Sequence, residues 1–409
     1  MAGWARLQVE SAPGTKTVLL DLTSLDTPSR HRGPGRYVRE LARGLSELST
    51  VEGRGLKVLG LTRLGLGGSF EITEDIAAFE GSTGLPAPAP KDHYRWAYAR
   101  RLSLWRAVRA IAPAAVHLGD PNSTPLLMGL TNCKKIVTCH DAIPARYPSR
   151  YFGVRDGGPA LGLAIEKRRY RTADLVIAIS DATREDACTL LGVPPERIVR
   201  VYNGVDVDGW AKPPSVEAKP VLLRHGLADR AFVLYVGASD WHKNIEGMLA
   251  GFAGALESGT NATLAWAGKL DEEEKRRVLA SAERLGIADA VRLLGFVSDD
   301  ELAVLYRAAR ALILVSWCEG FGLTVVEAMA AGCPVVTTRG GSLGEVAGDA
   351  ALTAAPDDHA AIAAAIQRLV SDGDLRAVLA GRGRERAARF SRRVQAEAMA
   401  EAYRGLLGL

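Results

Sequence analysis

The chain has 409 residues, more than one compact domain of ordinary size takes, and its 47% hydrophobic and 24% charged content is that of a globular protein with sizeable cores. Lysine and arginine number 51 against 47 acidic residues, and the resulting +4 permits an acidic partner but lacks the concentrated basic charge of a nucleic-acid binder. Five scattered cysteines (133, 139, 188, 318 and 333), an odd count without metal-ligand spacing, argue against a disulfide framework or structural zinc and favour a reducing compartment.

The opening Met1-Ala2-Gly3-Trp4-Ala5-Arg6 has no apolar stretch behind its positive charge, and no run of about 18 apolar residues follows anywhere. Neither a secretory leader nor a membrane span is expected, and the expected location is cytoplasmic. Thr17–Leu22 reads as a buried strand. A Gly-rich turn at Gly33-Pro34-Gly35 precedes apolar residues at helical spacing over Arg36–Leu48. Further strands are expected at Leu56–Leu61, Ala114–Leu118, Lys135–Cys139, Leu175–Ile179 and Ile198–Tyr202, with Ser180 or Asp181 capping the helix after the Leu175 strand. The proline-rich stretch Val207–Pro220 has no clear period and reads as a linker. A second series then begins, with strands at Phe232–Val236, Thr263–Ala267, Val291–Leu294, Ala311–Val315 and Pro334–Thr337. Helices near Ile245, Glu272, Asp300 and Leu323 alternate with them, and the chain from Asp358 onward is helical in pattern. Such alternation predicts two α/β domains, each a doubly wound parallel sheet: an N-terminal domain over 1–207, a linker over 208–220 and a second domain over 221–390. The last stretch, 391–409, is expected to be a helix crossing back to the first domain. Ligands in such folds sit at the carboxyl ends of the strands, so the site is expected there, in a cleft between the domains.

The segment most telling for chemistry runs from Ser316 to Glu327, with Glu319-Gly320-Phe321-Gly322 between a strand and a helix. Glycines at 320 and 322 allow a sharp turn and a close backbone approach to a ligand, and the free amides of the helix start suit a phosphate. Glu319 stands before the turn and Glu327 about one turn inside the helix, so two carboxylates are placed to accept hydroxyls from two parts of one long ligand. A plain strand-to-helix turn with two solvated carboxylates explains the same spacing.

These residues, with Ala331-Gly332-Cys333-Pro334-Val335-Val336, resemble the E-x7-E signature of retaining family 4 glycosyltransferases, which have the GT-B fold of two Rossmann-like domains facing each other across a cleft. Val236-Gly237 through Lys243-Asn244, Leu294-Gly295-Phe296-Val297, Tyr202-Asn203-Gly204-Val205-Asp206, Gly344-Glu345-Val346, His140-Asp141 and Gly33-Pro34-Gly35-Arg36-Tyr37 extend the resemblance over most of the chain. It implies that Glu319 binds donor-sugar hydroxyls near the reacting carbon, and that the backbone amides of Gly320, Phe321, Gly322, Leu323 and Thr324 hold the sugar and its diphosphate. Glu327 would accept from the ribose, Lys243 would pair with the diphosphate, and Phe296 and Val297 would line the base pocket. From the N-terminal domain, His140 would touch the donor sugar and Gly35 would approach the diphosphate. The implied reaction is metal-independent, cofactor-free transfer of a hexose from a nucleotide-diphosphate sugar, with retention. The implied acceptor is a glycan or lipid-linked precursor of polysaccharide biosynthesis, with peripheral contact at the inner face of a membrane. No nucleic acid is expected as a partner.

The chain departs from the family where an arginine commonly follows the glycine of the Val236-Gly237 loop; it reads Ala238-Ser239-Asp240-Trp241-His242, so either His242 or another basic residue such as Arg36 substitutes, or the phosphate contact is lighter. Asp206-Val207-Asp208 spells D-x-D, a metal pattern elsewhere, but here it flows into the expected linker and reads as structural. Tyr94–Ala110 is basic and aromatic, but helical spacing places Leu104 opposite the other apolar residues, so it lacks a clean apolar face and reads as a packed helix rather than a lipid-docking one. Glu166–Arg171 reads as a solvated helix end. His31, His117, His225 and His359 receive no role, and Cys318 has no evident activating base. A nucleotide-sugar 2-epimerase or a phosphorylase of the same architecture, and a non-catalytic glycan- or nucleotide-binding subunit, are the competing readings.

Overall fold

The computed structural model describes residues 14–27, 30, 32–48, 55–65, 68–81, 100–120, 133–152 and 158–409. The opening segment 1–6, His31 and residues 94–99 of the basic aromatic stretch lie outside them. The chain divides into two compact units, 1–204 together with 392–409, and 205–391.

Among the described residues the first unit holds seven strands: β1 (Lys16–Asp21), β2 (Leu56–Leu64), β3 (Phe70–Thr73), β4 (Ala115–Leu118), β5 (Lys134–Cys139), β6 (Leu175–Ala178) and β7 (Ile198–Arg200). Their order is β3-β2-β1-β4-β5-β6-β7, parallel throughout except for the antiparallel β2–β3 pair. β4 and β6 read AVHL and LVIA and are buried along their whole length, because helices cover both faces of a parallel sheet. β3 gives no run of β-branched residues and was not expected; it is an edge strand fixed by its pairing with β2, Leu64 opposite Phe70. The first helix, Gly33–Glu47, begins three residues before the expected start. Pro34 causes the difference: proline is tolerated in a first helical turn, where its missing N–H has no partner to lose, so the Gly-Pro-Gly stretch is that turn and not a loop before it. Ser180 is the cap of the helix Asp181–Thr189, its Oγ accepting the Thr183 amide at 2.9 Å.

Two readings from the first half are corrected in detail. The helix Pro159–Arg171 does not end in a wholly solvated charge run: Glu166 and Arg169 are buried and pair at 3.1 Å, since their i,i+3 spacing turns both inward beside Tyr170. In the helix Arg101–Ile111, Ser103, Leu104, Ala107 and Val108 make the buried face while Leu102 and Trp105 are exposed, so Leu104 belongs to the core face rather than opposite it. The helix Arg392–Leu407 packs on Gly33–Glu47 within this unit, where Arg392 Nε meets Glu40 at 2.9 Å.

The second unit holds β8 (Phe232–Val236), β9 (Thr263–Ala267), β10 (Val291–Gly295), β11 (Ala311–Leu314), β12 (Val335–Thr337) and β13 (Leu352–Thr353), in the order β10-β9-β8-β11-β12-β13 and all parallel. The stretch read as a linker, 208–220, is part of this unit: a short helix, Val207–Ala211, packs on the helix Leu323–Ala330 and buries Trp210 edge-on to Tyr306. Asp206 Oδ1 accepts the Gly209 amide at 3.0 Å and so caps that helix, a structural use of the D-x-D aspartate. Capping boxes, Asp271 with Glu274 and Ser298 with Glu301, start two further helices.

Strand order reverses in each unit, between β1 and β4 in the first and between β8 and β11 in the second. Loops leaving the carboxyl ends of neighbouring strands diverge there and leave a crevice. Among the described residues no helix is long and apolar enough to cross a membrane.

Candidate active site

In the second unit the loops after β8 and β11, the two strands flanking the reversal, carry Lys243 and Glu319. Lys243 Nζ donates to both carboxylate oxygens of Glu319, at 2.8 and 2.9 Å, and Ser316 Oγ donates to Oε1 at 2.6 Å. Burial alone would raise the Glu319 pKa, but Lys243, His242 and the hydrogen bonds from Lys243 and Ser316 outweigh it and hold the carboxyl below its usual range. Glu319 is therefore ionised at neutral pH. An ammonium has three N–H donors and each carboxylate oxygen two lone pairs. After the contacts above, Lys243 keeps one donor and Glu319 Oε2 one acceptor position, side by side and of opposite sense.

Backbone contacts fix this pair. Trp317 donates its amide to the His242 carbonyl at 2.8 Å, tying the β11 loop to the β8 loop. Both the amide and the hydroxyl of Ser342 donate to the Glu319 carbonyl at 3.0 Å, and Thr338 Oγ1 donates to the Ser316 carbonyl at 2.8 Å. Gly341 makes that approach possible: its φ is +62°, and a Cβ there would lie 2.3 Å from the Glu319 carbonyl oxygen. The glycine-rich stretch 338–342 thus supports Glu319 from behind. Asn244, at φ 55°, sits between the Lys243 turn and the helix Ile245–Glu257, and its Nδ2 donates to the carbonyls of Val315 (2.9 Å) and Pro356 (2.7 Å). The His242 imidazole lies near Glu319, Lys243 and Asp240; burial is the largest influence and lowers its pKa, so the ring is neutral at neutral pH.

The other expected residues take varied places. Gly322, at φ 101°, caps the helix Leu323–Ala330, placing the amides of Leu323 and Thr324 at its start. Phe321 is 3% exposed and its ring meets Phe390 edge-on, so the ring belongs to the core. Glu327 is 3% exposed and accepts from Tyr306 Oη at 3.1 Å, deeper than Glu319 as the spacing suggested. Phe296 and Val297 follow β10, two strands from β8; Phe296 is exposed and Val297 buried.

In the first unit His140 leaves the end of β5. Its Nε2 lies 2.6 Å from the Gly119 carbonyl, the loop after β4, and Tyr37 meets its ring edge-on at 5.0 Å. Burial lowers the His140 pKa against the opposing influence of Asp120 and the Gly119 hydrogen bond. Gly35, buried in the first helical turn, lies two positions before Tyr37. Beneath them runs a chain of neutral groups: Tyr37 Oη to Thr138 Oγ1 (2.9 Å), Thr138 Oγ1 to His117 Nε2 (2.8 Å), and His117 Nδ1 to Tyr403 Oη (2.6 Å). His117, given no role from sequence, is fully buried at its centre; burial, with His140 adding, lowers its pKa to about 3. Tyr306 beside Glu327 in the second unit, and Thr138, His117 and Tyr403 in the first, were missed from sequence. Only the Gly340-Gly341-Ser342 run carried a sequence signal, as a turn needing positive φ.

The match to known proteins follows this geometry. The family model described as "Glycosyl transferases group 1" matches residues 224–386, and "Glycosyltransferase Family 4" matches 31–208. The chain belongs to the family 4 glycosyltransferases, and its fold is GT-B. It is 36% identical over 222 residues to the O-antigen chain mannosyltransferase B of Escherichia coli, covering 54% of this chain and 58% of that one. To the D-inositol 3-phosphate glycosyltransferase 2 of Catenulispora acidiphila it is 31% identical over 258 residues, 61% of this chain and 60% of the other. These matches span little more than half the length of the curated relatives. In fold it is similar to sucrose-phosphate synthase of Thermosynechococcus elongatus (TM-score 0.75, 23% identity, 96% of this chain and 99% of that one). HepE of Anabaena in complex with UDP-glucose gives 0.70 at 18% identity, covering 95% and 100%.

Proposed function

We propose that the chain is a retaining, metal-independent glycosyltransferase moving a hexose from a nucleotide-diphosphate sugar to a glycan or lipid-linked acceptor. The observation that carries this reading is the Lys243–Glu319 pair at the strand-order reversal of the second unit, with one donor and one acceptor position left over. A nucleotide sugar presents the matching groups, a phosphate oxygen for the ammonium and a sugar hydroxyl for the carboxylate. The mannosyltransferase relative and the UDP-glucose complex of HepE support that donor class.

In the transfer, the acceptor oxygen bonds to the anomeric carbon as the bond from that carbon to the diphosphate oxygen breaks. The departing phosphate takes the acceptor's proton on the same face, which retains configuration without a second carboxylate. Negative charge grows on the diphosphate as it leaves. Lys243 and the amides at the start of the helix Leu323–Ala330 are fixed in advance, so they stabilise that charge more than they stabilise the bound substrate. They take the part a divalent ion would otherwise play. Glu319 fixes the sugar, Glu327 the ribose, and Phe296 and Val297 the base. Cytoplasmic action at the inner face of a membrane goes with a lipid-linked acceptor.

The test is an assay with candidate nucleotide sugars in EDTA, the product's anomeric configuration read by NMR. Acceptor-dependent release of nucleoside diphosphate with retained configuration is expected. Release without acceptor, accompanied by a C2-epimeric sugar, would establish the epimerase reading instead.

A further inference from the structure

A pocket of about 350 Å³, at the small end of the range for ligand sites, opens in the second unit against the same two loops. Trp241, two residues before Lys243, and Trp317, two before Glu319, supply its aromatic walls, and both are more than a third exposed. The Trp317 amide bond to the His242 carbonyl holds the two loops in register.

The polar lining sorts into groups already committed and groups with capacity to spare. Glu274 Oε1 accepts from Ser239 Oγ (2.7 Å) and its Oε2 from the Asp271 amide (2.9 Å). Glu246 Oε1 accepts from Ser281 Oγ at 2.6 Å, and its Oε2 faces Arg284 at 3.6 Å. These two carboxylates brace the walls. The Asp240 carboxylate and the Arg277 guanidinium line the same pocket, are exposed, and form no side-chain hydrogen bond or ion pair among the described residues. Three carboxylates against one guanidinium repel a phosphate or a nucleotide. Two indoles with one free acceptor and one free donor set suit a neutral ring carrying several hydroxyls, whose C–H faces meet the negative faces of the indoles.

We propose that this pocket is a glycan subsite holding a neutral pyranose ring of the acceptor chain, beyond the residue being extended. The proposal rests on the transferase reading and adds where a longer acceptor gains its affinity. Because the same loops carry Lys243 and Glu319, a chain anchored between Trp241 and Trp317 is held beside the reacting groups.

The full chain, without donor, is titrated calorimetrically with methyl α-mannoside, methyl α-glucoside and the α-linked disaccharide and trisaccharide of each, for wild type, Trp241→Ala and Arg277→Ala. Wild type is expected to bind a trisaccharide, and each variant to bind it about fivefold or more weakly. UDP or GDP binding, measured on the same samples, is expected to stay unchanged and reports that the variants are folded. No saccharide binding by wild type, or equal binding by all three proteins, overturns the subsite. Loss of nucleoside diphosphate binding by wild type would instead strike the transferase reading, so the two failures are told apart.

Discussion

The two units use one sheet plan for opposite electrostatic ends. At the strand reversal of the second unit, an ionised lysine and glutamate stand in mutual contact, partly open to solvent and braced by backbone bonds from three loops. Beside the reversal of the first unit lies a buried row of neutral groups, Tyr37, Thr138, His117 and Tyr403, under a histidine whose pKa burial also lowers. A charged pair can recognise and stabilise a charged leaving group. A neutral network can only fix geometry, and its own charging is disfavoured by its surroundings. Damage to the Lys243–Glu319 pair should therefore appear in chemistry, and damage to the Tyr37-Thr138-His117-Tyr403 network in stability and acid tolerance.

The largest effect is expected from the buried histidine. Unfolded chain protonates His117 near its ordinary value of 6.5, whereas the folded protein does so only at about 3. The contribution is complete above pH 6.5 and is lost progressively as pH falls toward 3, up to about 4–5 kcal/mol. Denaturant titrations across that window should show a shallower acid loss in His117→Gln than in wild type; parallel curves would break the contrast between the units.

Next is Glu319→Ala, expected to lower turnover roughly 10²–10³-fold with a normal melting transition, because under the proposed function it removes the group that fixes the reacting sugar. Steady-state kinetics check this, and a loss of donor KM alone would shift the residue from chemistry to binding. Tyr403→Phe leaves His117 Nδ1 without its partner and is expected to cost about 1–3 kcal/mol of stability with transfer parameters unchanged. The smallest effect is a rise of about tenfold in the donor's dissociation constant for Glu327→Ala, with turnover near wild type; calorimetry with the nucleoside diphosphate reads it.

The fold was legible where burial on both faces writes itself as unbroken apolar runs. Phe232–Val236, Thr263–Ala267 and Leu175–Ala178 are strands within a residue of their expected ends. What failed were places decided by tertiary partners: β3, which exists through its pairing with β2; the Pro34 turn; and the 208–220 stretch, whose prolines mask a helix held by Trp210. In the candidate site, Lys243 and Glu319 were singled out because their strand-end loops carry segments that resemble the family's. Their contact with each other was not, since 76 residues separate them and only the strand order brings β8 and β11 together. The His117 network links positions 37, 117, 138 and 403, a separation no local pattern records.

The central claim is that Lys243 holds the diphosphate of a nucleotide sugar, and the most direct test is calorimetric titration of UDP and GDP into wild type and Lys243→Ala. Wild type should bind one of the two, and the variant should bind it about ten- to a hundredfold more weakly while Glu319→Gln binds it nearly as well as wild type. Equal affinity in wild type and Lys243→Ala would contradict the account.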